Sequence, residues 1–310
     1  MNMNALCEGI WIPASTPFET DGRVSSALFL QHCRTLLAQG AHGLAMLGTT
    51  SEANSLSLGE RSELLQFLIA NGVQPSQLLP GTGAAALPDA VQFTKTVVAA
   101  GCAGALVLPP FFYKSPAVND DGLFAFYSEL IERVGSADLR IYLYHIPQMT
   151  SLGISLGLIE RLLKAYPGVI AGLKDSSGNW ANTLSVIQAF PTLRVFSASE
   201  ALMLNNLRAG GAGCITATGN SNLVALRQLY DHWQQADADA LQVGVARRRQ
   251  IVEAFPMIPA VKSVLAHQYQ DRRWAQVRAP LVAMTPAQEQ ALIAQLEADG
   301  AFAAQPLAAA

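Results

Sequence analysis

The sequence predicts an α/β fold, a (β/α)8 TIM barrel with a C-terminal helical extension, and three observations predict it. Short apolar runs alternate with longer amphipathic ones, eight short runs precede residue 217, and from Asn222 onward only helical patterning remains. Alternation of this kind builds a parallel sheet covered by returning helices. Eight units close a barrel, whereas an open doubly wound sheet would leave two strands unplaced.

The predicted strands are 9–14, 43–47, 77–80, 104–108, 140–144, 169–173, 194–197 and 213–216. Helical patterns lie between them at 26–38, 58–71, 86–100, 122–134, 155–165, 180–189 and 201–209. Pro-Asp, Pro-Gly and Asn-Gly steps punctuate the series, as turn chemistry requires. Glycines just ahead of residues 43, 104 and 213 read as a repeated device that stops a helix and starts a strand. Run 169–173 is continuously apolar behind Pro167-Gly168, the pattern of a strand covered on both faces. Residues 1–221 are expected to form the barrel and 222–310 a helical bundle, broken at 255–259 and 279–280, with an Ala-rich, frayed end at 301–310.

Composition excludes several classes of function. With 51% hydrophobic and 14% charged residues the chain can bury a large core and still offer apolar surface for a homo-oligomer, dimer or tetramer. A net charge of -3 argues against nucleic acid or an anionic membrane as partner. The run Arg247-Arg248-Arg249 is read as a solvated helix face. Cys7, Cys33, Cys102 and Cys214 form no Cys-x-x-Cys pair, there is no secretory pattern, and no apolar run reaches membrane-spanning length. A cytoplasmic protein is expected.

Chemistry is sought where strands end, because α/β enzymes gather it at the carboxyl side of the sheet. Lys174 directly follows 169–173 and is one of only five lysines, with Lys95, Lys114, Lys164 and Lys262. Desolvation disfavours an ammonium, and a neutral amine attacks a ketone to form a Schiff base. The plainer alternatives are a side chain reaching for water or pairing with Asp175. Gly48-Thr49-Thr50-Ser51-Glu52 ends the second strand; its glycine admits a ligand close to the backbone and its hydroxyls suit a carboxylate cradle, although the same residues make a good loop and helix cap. Tyr144 could move a proton to or from a carbonyl oxygen. His145 is a second acid or base, or a structural hydrogen-bond partner. Phe112 and Tyr113 form an aromatic rim for substrate or for a neighbouring subunit. No cluster shows metal-ligand spacing and no glycine run matches a dinucleotide or phosphate loop, so no metal or organic cofactor is expected.

In order, Gly48-Thr49-Thr50-Ser51-Glu52, Pro109-Pro110-Phe111-Phe112-Tyr113, Tyr144-His145-Ile146-Pro147, Gly172-Leu173-Lys174-Asp175 and Gly213-Cys214-Ile215-Thr216 resemble the dihydrodipicolinate synthase/N-acetylneuraminate lyase family over roughly residues 6–300. The resemblance implies a pyruvate-dependent class I aldolase on a barrel with a helical extension. It places the Schiff-base lysine at Lys174, the proton-relaying tyrosine at Tyr144 and the carboxylate-gripping hydroxyls at Thr49 and Thr50. It also puts a site-facing backbone carbonyl at Ile215.

The departures bear on substrate. Where the synthases of this family carry Gly-Arg-Thr, with the arginine binding aspartate semialdehyde, this chain reads Gln148-Met149-Thr150, and methionine cannot replace a guanidinium. Phe112 stands where many members place a tyrosine lent to the neighbouring subunit, and His145 replaces the usual asparagine. The expected reaction is cleavage or formation of a carbon–carbon bond between pyruvate and an aldehyde. The expected substrates are 2-keto-3-deoxy sugar acids or 4-hydroxy-2-oxo acids. The alternatives are a tetrahydrodipicolinate synthase, a keto-deoxy sugar acid dehydratase, or a keto-acid-binding protein without turnover.

Overall fold

A computed structural model describes residues 6–302, so residues 303–310 of the stretch expected to fray lie outside the described residues. The first half contains β1 (Gly9–Ile12), α1 (Ser26–Ala38), β2 (Gly43–Leu44), α2 (Leu58–Ala70), α3 (Leu87–Ala99), β3 (Ala105–Val107) and α4 (Asp120–Val134). Next come β4 (Ile141–His145), the single turn α5 (Pro147–Thr150), α6 (Leu156–Ala165), β5 (Ile170–Asp175), α7 (Trp180–Ala189), β6 (Arg194–Ser197), α8 (Met203–Arg208) and β7 (Gly213–Ile215). Four helices follow: α9 (Gly219–His232), α10 (Ala238–Glu253), α11 (Met257–Tyr269) and α12 (Pro286–Ala298). The expected division after residue 221 falls at a kink in α9, where Asn222 leaves helical geometry.

All strands pair in parallel, in the order β2-β1-β7-β6-β5-β4-β3. The circle is closed by the segment expected to be a strand at 77–80. It makes only isolated bridges, Leu44 to Leu78 on one side and Gly81 to Leu106 on the other. Pro80 carries no N–H for a ladder, and Pro75–Gln77 is a 3-10 turn, so this eighth strand is a seam. Backbone bonds still cross it: Leu79 N donates to Leu44 O, and Leu106 N donates to Pro80 O.

Local chemistry explains the helix ends. Ser57 and Glu60 form a reciprocal capping box on α2, and Thr285 and Gln288 form another on α12. The helix-stop device holds, with Gly40, Gly101 and Gly210 all at positive φ. Among the described residues, no helix is long and apolar enough to cross a membrane.

The arginine run is a solvated face only at Arg247, whose side chain is exposed, whereas Arg248 and Arg249 are largely covered. Arg247 and Arg248 both pair with the buried Asp299, while the largely buried Arg249 reaches Glu200 and Glu253. Three consecutive helical residues cover about 200° of circumference, and α10 packs against α9, α11 and α12 at once. Neighbouring elements therefore intercept the part of that arc that carries Arg248 and Arg249.

A buried polar knot ties α1 to the later helices. His32 lies between Tyr269 Oη (2.9 Å from Nδ1) and Asn220 Oδ1 (2.8 Å from Nε2). Burial lowers the His32 pKa from 6.5 to about 4, against a smaller upward pull from Asn220. A base depressed in the folded state binds its proton more readily when unfolded. Its contribution is therefore intact above pH 6.5 and is lost as the pH falls toward 4, by up to about 3 kcal/mol. Thermal unfolding of wild type should drop more steeply between pH 7 and pH 5 than that of His32→Gln; parallel curves would refute it.

Candidate active site

Strand pleating decides which side chains face the barrel axis. Trp11, Leu106, Tyr142, Tyr144, Phe196 and Ile215 form one buried cluster drawn from β1, β3, β4, β6 and β7. Their sequence neighbours, such as Ile10, Val107, Leu143 and Val195, belong to the layer between strands and helices. A set drawn alternately from strands all round the circle can only be the barrel interior.

Strand β5 obeys this rule through an irregularity. Ile170 and Leu173 both pack in the outer layer, an odd number of steps apart. The register with β4 explains it: Ile141 pairs with Ile170 but Tyr142 pairs with Gly172, leaving Ala171 as an extra, bulged residue. Bulges re-aim the side chains that follow them. Without this one, alternation from Ile170 would send Lys174 outward; with it, Gly172 and Lys174 face the axis. The strand also runs on through Asp175, so Lys174 sits within a ladder and not just past its end.

Lys174 is only 5% exposed. Its Nζ lies 4.3 Å from the centroid of the Tyr144 ring, on the adjoining position of β4. The Tyr144 hydroxyl is 3.3 Å from Thr49 Oγ1. Burial alone would raise the phenol pKa, but the Lys174 charge and hydrogen bonds to Thr49, Ser176 and Lys174 outweigh it, leaving the group below its ordinary value. A phenol so placed gives and takes a proton more readily. Lys174 does not pair with Asp175. That carboxylate faces the helices, accepting from Ser177 N, Asn182 Nδ2 and Thr183 Oγ1, each at 2.8 Å.

The threonines ride on a tightly built turn. Leu47 and Glu52, neither a glycine, sit at φ 58° and 56°, a left-handed geometry that costs about 1–3 kcal/mol and persists only where neighbours enforce it. Ser51 enforces part of it: its Oγ accepts from Leu47 N and donates to Ala14 O, while its carbonyl accepts from Thr16 Oγ1. Beneath the turn is Gly81, where a Cβ would lie 2.4 Å from Leu47 O. Thr50 is buried and Gly48 and Thr49 are half-buried. Ile215 closes the interior cluster at the end of β7.

The other residues singled out from sequence divide. His145 is buried and its Nδ1 accepts from Ile154 N at 3.0 Å, which serves structure; burial lowers its pKa, partly countered by Asp175. Phe112 and Tyr113 are 75% and 66% exposed and meet edge to face at 5.6 Å, at the surface rather than buried with Lys174. Met149 is likewise exposed on α5. The Ser176 hydroxyl, just beyond β5, also joins the Tyr144 cluster. The signal was its even spacing from Lys174: Ser176 lies one residue past the end of β5, where its N–H still donates to His145 O at 2.8 Å.

Tyr144→Phe removes the phenol hydroxyl while keeping the ring beneath Lys174, and so tests whether that hydroxyl carries a proton. Turnover should fall by roughly 10²–10⁴-fold with the melting temperature nearly unchanged; undiminished kcat would show that the phenol carries no proton.

Comparison with known proteins agrees with this geometry. The chain matches the dihydrodipicolinate synthetase family over residues 6–299. It is 34% identical over 291 residues to a DapA-like lyase of Chloroflexus aurantiacus, covering 93% of this chain and 96% of the relative. Among solved structures, dihydrodipicolinate synthase from Agrobacterium tumefaciens superposes with a TM-score of 0.87 at 32% identity, covering 94% of this chain and 98% of the other. A Sulfolobus 2-keto-3-deoxygluconate aldolase shares the fold at 23% identity, with a TM-score of 0.84 over 95% of this chain and 96% of its own. With a lysine enclosed in the barrel mouth and matches running nearly end to end, the chain belongs to the dihydrodipicolinate synthetase family and is an enzyme of the aldolase and lyase class.

Proposed function

We propose that this enzyme cleaves or forms a carbon–carbon bond through a Schiff base between Lys174 and the keto carbon of pyruvate or a pyruvate-derived 2-keto acid. The observation that carries the reading is the placement of Nζ over the Tyr144 ring, with the phenol hydroxyl against Thr49. The Lys174 amine adds to the keto carbon and water leaves, giving a protonated iminium. Tyr144 gives its proton to the departing water and becomes a phenolate; in cleavage that phenolate takes the proton of the 4-hydroxyl, the C3–C4 electron pair moves to the iminium, and an aldehyde departs. The remaining enamine takes a proton at C3, and water releases pyruvate and the free lysine. Thr49 and Thr50 hold the carboxylate beside the Ile215 carbonyl, and the iminium itself is the electron sink.

We assign 2-keto-3-deoxy sugar acids or 4-hydroxy-2-oxo acids as substrates. The sequence position at which the synthases present a cation to an acidic aldehyde is here the uncharged, exposed Met149. Gln148 beside it is occupied, its Nε2 donating to Ser176 O at 2.6 Å. The exposed Phe112 and Tyr113 are the surface on which a second copy of the chain, or the distal end of a substrate, would rest.

Borohydride added with pyruvate tests this. A three-carbon adduct should appear on Lys174; an unmodified lysine under conditions that label a known aldolase refutes the chemistry. Product analysis then assigns the reaction, since an aldolase releases pyruvate and an aldehyde whereas a dehydratase keeps the carbon skeleton.

A further inference from the structure

One ionic cluster lies behind the site and takes no part in the steps above. Lys262 on α11 and Glu52 at the end of the threonine turn form an ion pair, and both side chains are fully buried. The second carboxylate oxygen of Glu52 accepts from Arg278 N at 3.0 Å. Lys262 Nζ and the Arg278 guanidinium lie over the Phe18 ring at 4.3 and 4.7 Å from its centroid. The Arg278 side chain also binds the Gly22 and Ser55 carbonyls and Glu60, fastening the chain on both sides of the turn. Both oxygens of Glu52 are therefore fixed by the C-terminal extension.

Glu52 is also the residue that ends the turn in left-handed geometry, and its own N–H donates to Thr49 O at 3.1 Å. The contacts thus run from Lys262 through Glu52 to Thr49, and from Thr49 to Tyr144. A buried ion pair is weak evidence for stability, since an apolar replacement often does as well; its best-attested use is to fix one geometry among several. Here the geometry it meets is a disfavoured one, beside hydroxyls that must grip a carboxylate.

We propose that Glu52 and Lys262 are positioning residues for the reaction, holding the 48–52 turn so that Thr49 and Thr50 meet the substrate carboxylate and Thr49 stays against Tyr144. Neither touches the reacting atoms. The proposal rests on the Schiff-base reading and adds that the C-terminal helices shape the barrel mouth. Misplacing a binding group by about 1 Å can cost roughly 10²-fold in rate, so the effect belongs in substrate capture.

The test is the double variant Glu52→Gln/Lys262→Met, which buries no unpaired charge, followed by pyruvate titration of borohydride trapping. We expect a folded protein whose half-saturating pyruvate concentration rises about 10-fold or more, with complete labelling of Lys174 at saturation. Glu52→Gln alone, which keeps the shape and an acceptor oxygen, should shift the same curve in the same direction and serves if the double variant does not fold. Wild-type half-saturation in a folded variant overturns the proposal and makes the pair purely structural. An unlabelled wild-type chain overturns the Schiff-base reading, and this proposal with it.

Discussion

Lys174→Ala should give a folded protein that takes no adduct from pyruvate and borohydride and loses turnover by about 10³-fold or more. The proposed covalent intermediate needs a nitrogen at the keto carbon, and on the axis-facing side of β5 the structure offers this amine alone, over Tyr144. The fold should survive because Lys174 forms no ion pair with Asp175, whose carboxylate is satisfied by Ser177, Asn182 and Thr183. The measurement is peptide mass analysis after trapping, with a melting curve beside it. Lys262 is the internal control: it is also buried, but locked to Glu52. A label on Lys262 or Lys114 in the variant, or retained turnover, would remove Lys174 from the mechanism.

Gly172→Ala should destabilise the protein by about 3 kcal/mol or more, past the usual overpacking range, and fail to accumulate as soluble chain. An added Cβ would lie 2.3 Å from the Arg194 carbonyl oxygen and 2.6 Å from Cδ1 of Tyr142. The first contact is backbone of the neighbouring strand, so relief requires β5 and β6 to part. The second is a fully buried ring with no room to retreat. Because Gly172 follows the bulge at Ala171, any folded fraction should also have Lys174 mis-aimed. Gly244→Ala inside α10, where a Cβ meets nothing within 4 Å, should instead stabilise by about 0.5–1 kcal/mol. Equal melting temperatures for the two variants would show that the interior accepts the methyl.

Elements with their own periodicity were legible in the sequence. Helices α1 and α7 fall at the residues their patterns mark, and the barrel follows from counting alternations. Strand lengths were not legible. The run 43–47 is regular strand only at Gly43–Leu44, with single backbone bonds beyond it at Ala45 and Met46 before Leu47 turns left-handed to launch the threonine turn, and 77–80 keeps bridges alone around Pro80. The bulge at Ala171 was hidden because an apolar run covered on both faces carries no alternation to break.

Within the site, Lys174, Tyr144 and Thr49 were found from where their strands end, and the structure brings them together. Thr50 is buried on the same turn and Ile215 lies in the interior cluster, whereas His145 is bonded to Ile154 and Phe112 and Tyr113 lie outside. The Glu52–Lys262 pair had no local signal. Each residue sits in a segment that reads as an ordinary loop or helix, and only the fold supplies the partner.

That last contact spans 210 residues. A chain still emerging from the ribosome would hold Lys174 and every described strand well before α11, which carries Lys262, has been made. If the pair positions the turn as proposed, substrate capture should therefore mature late in synthesis, only after α11 and the Arg278 segment are released.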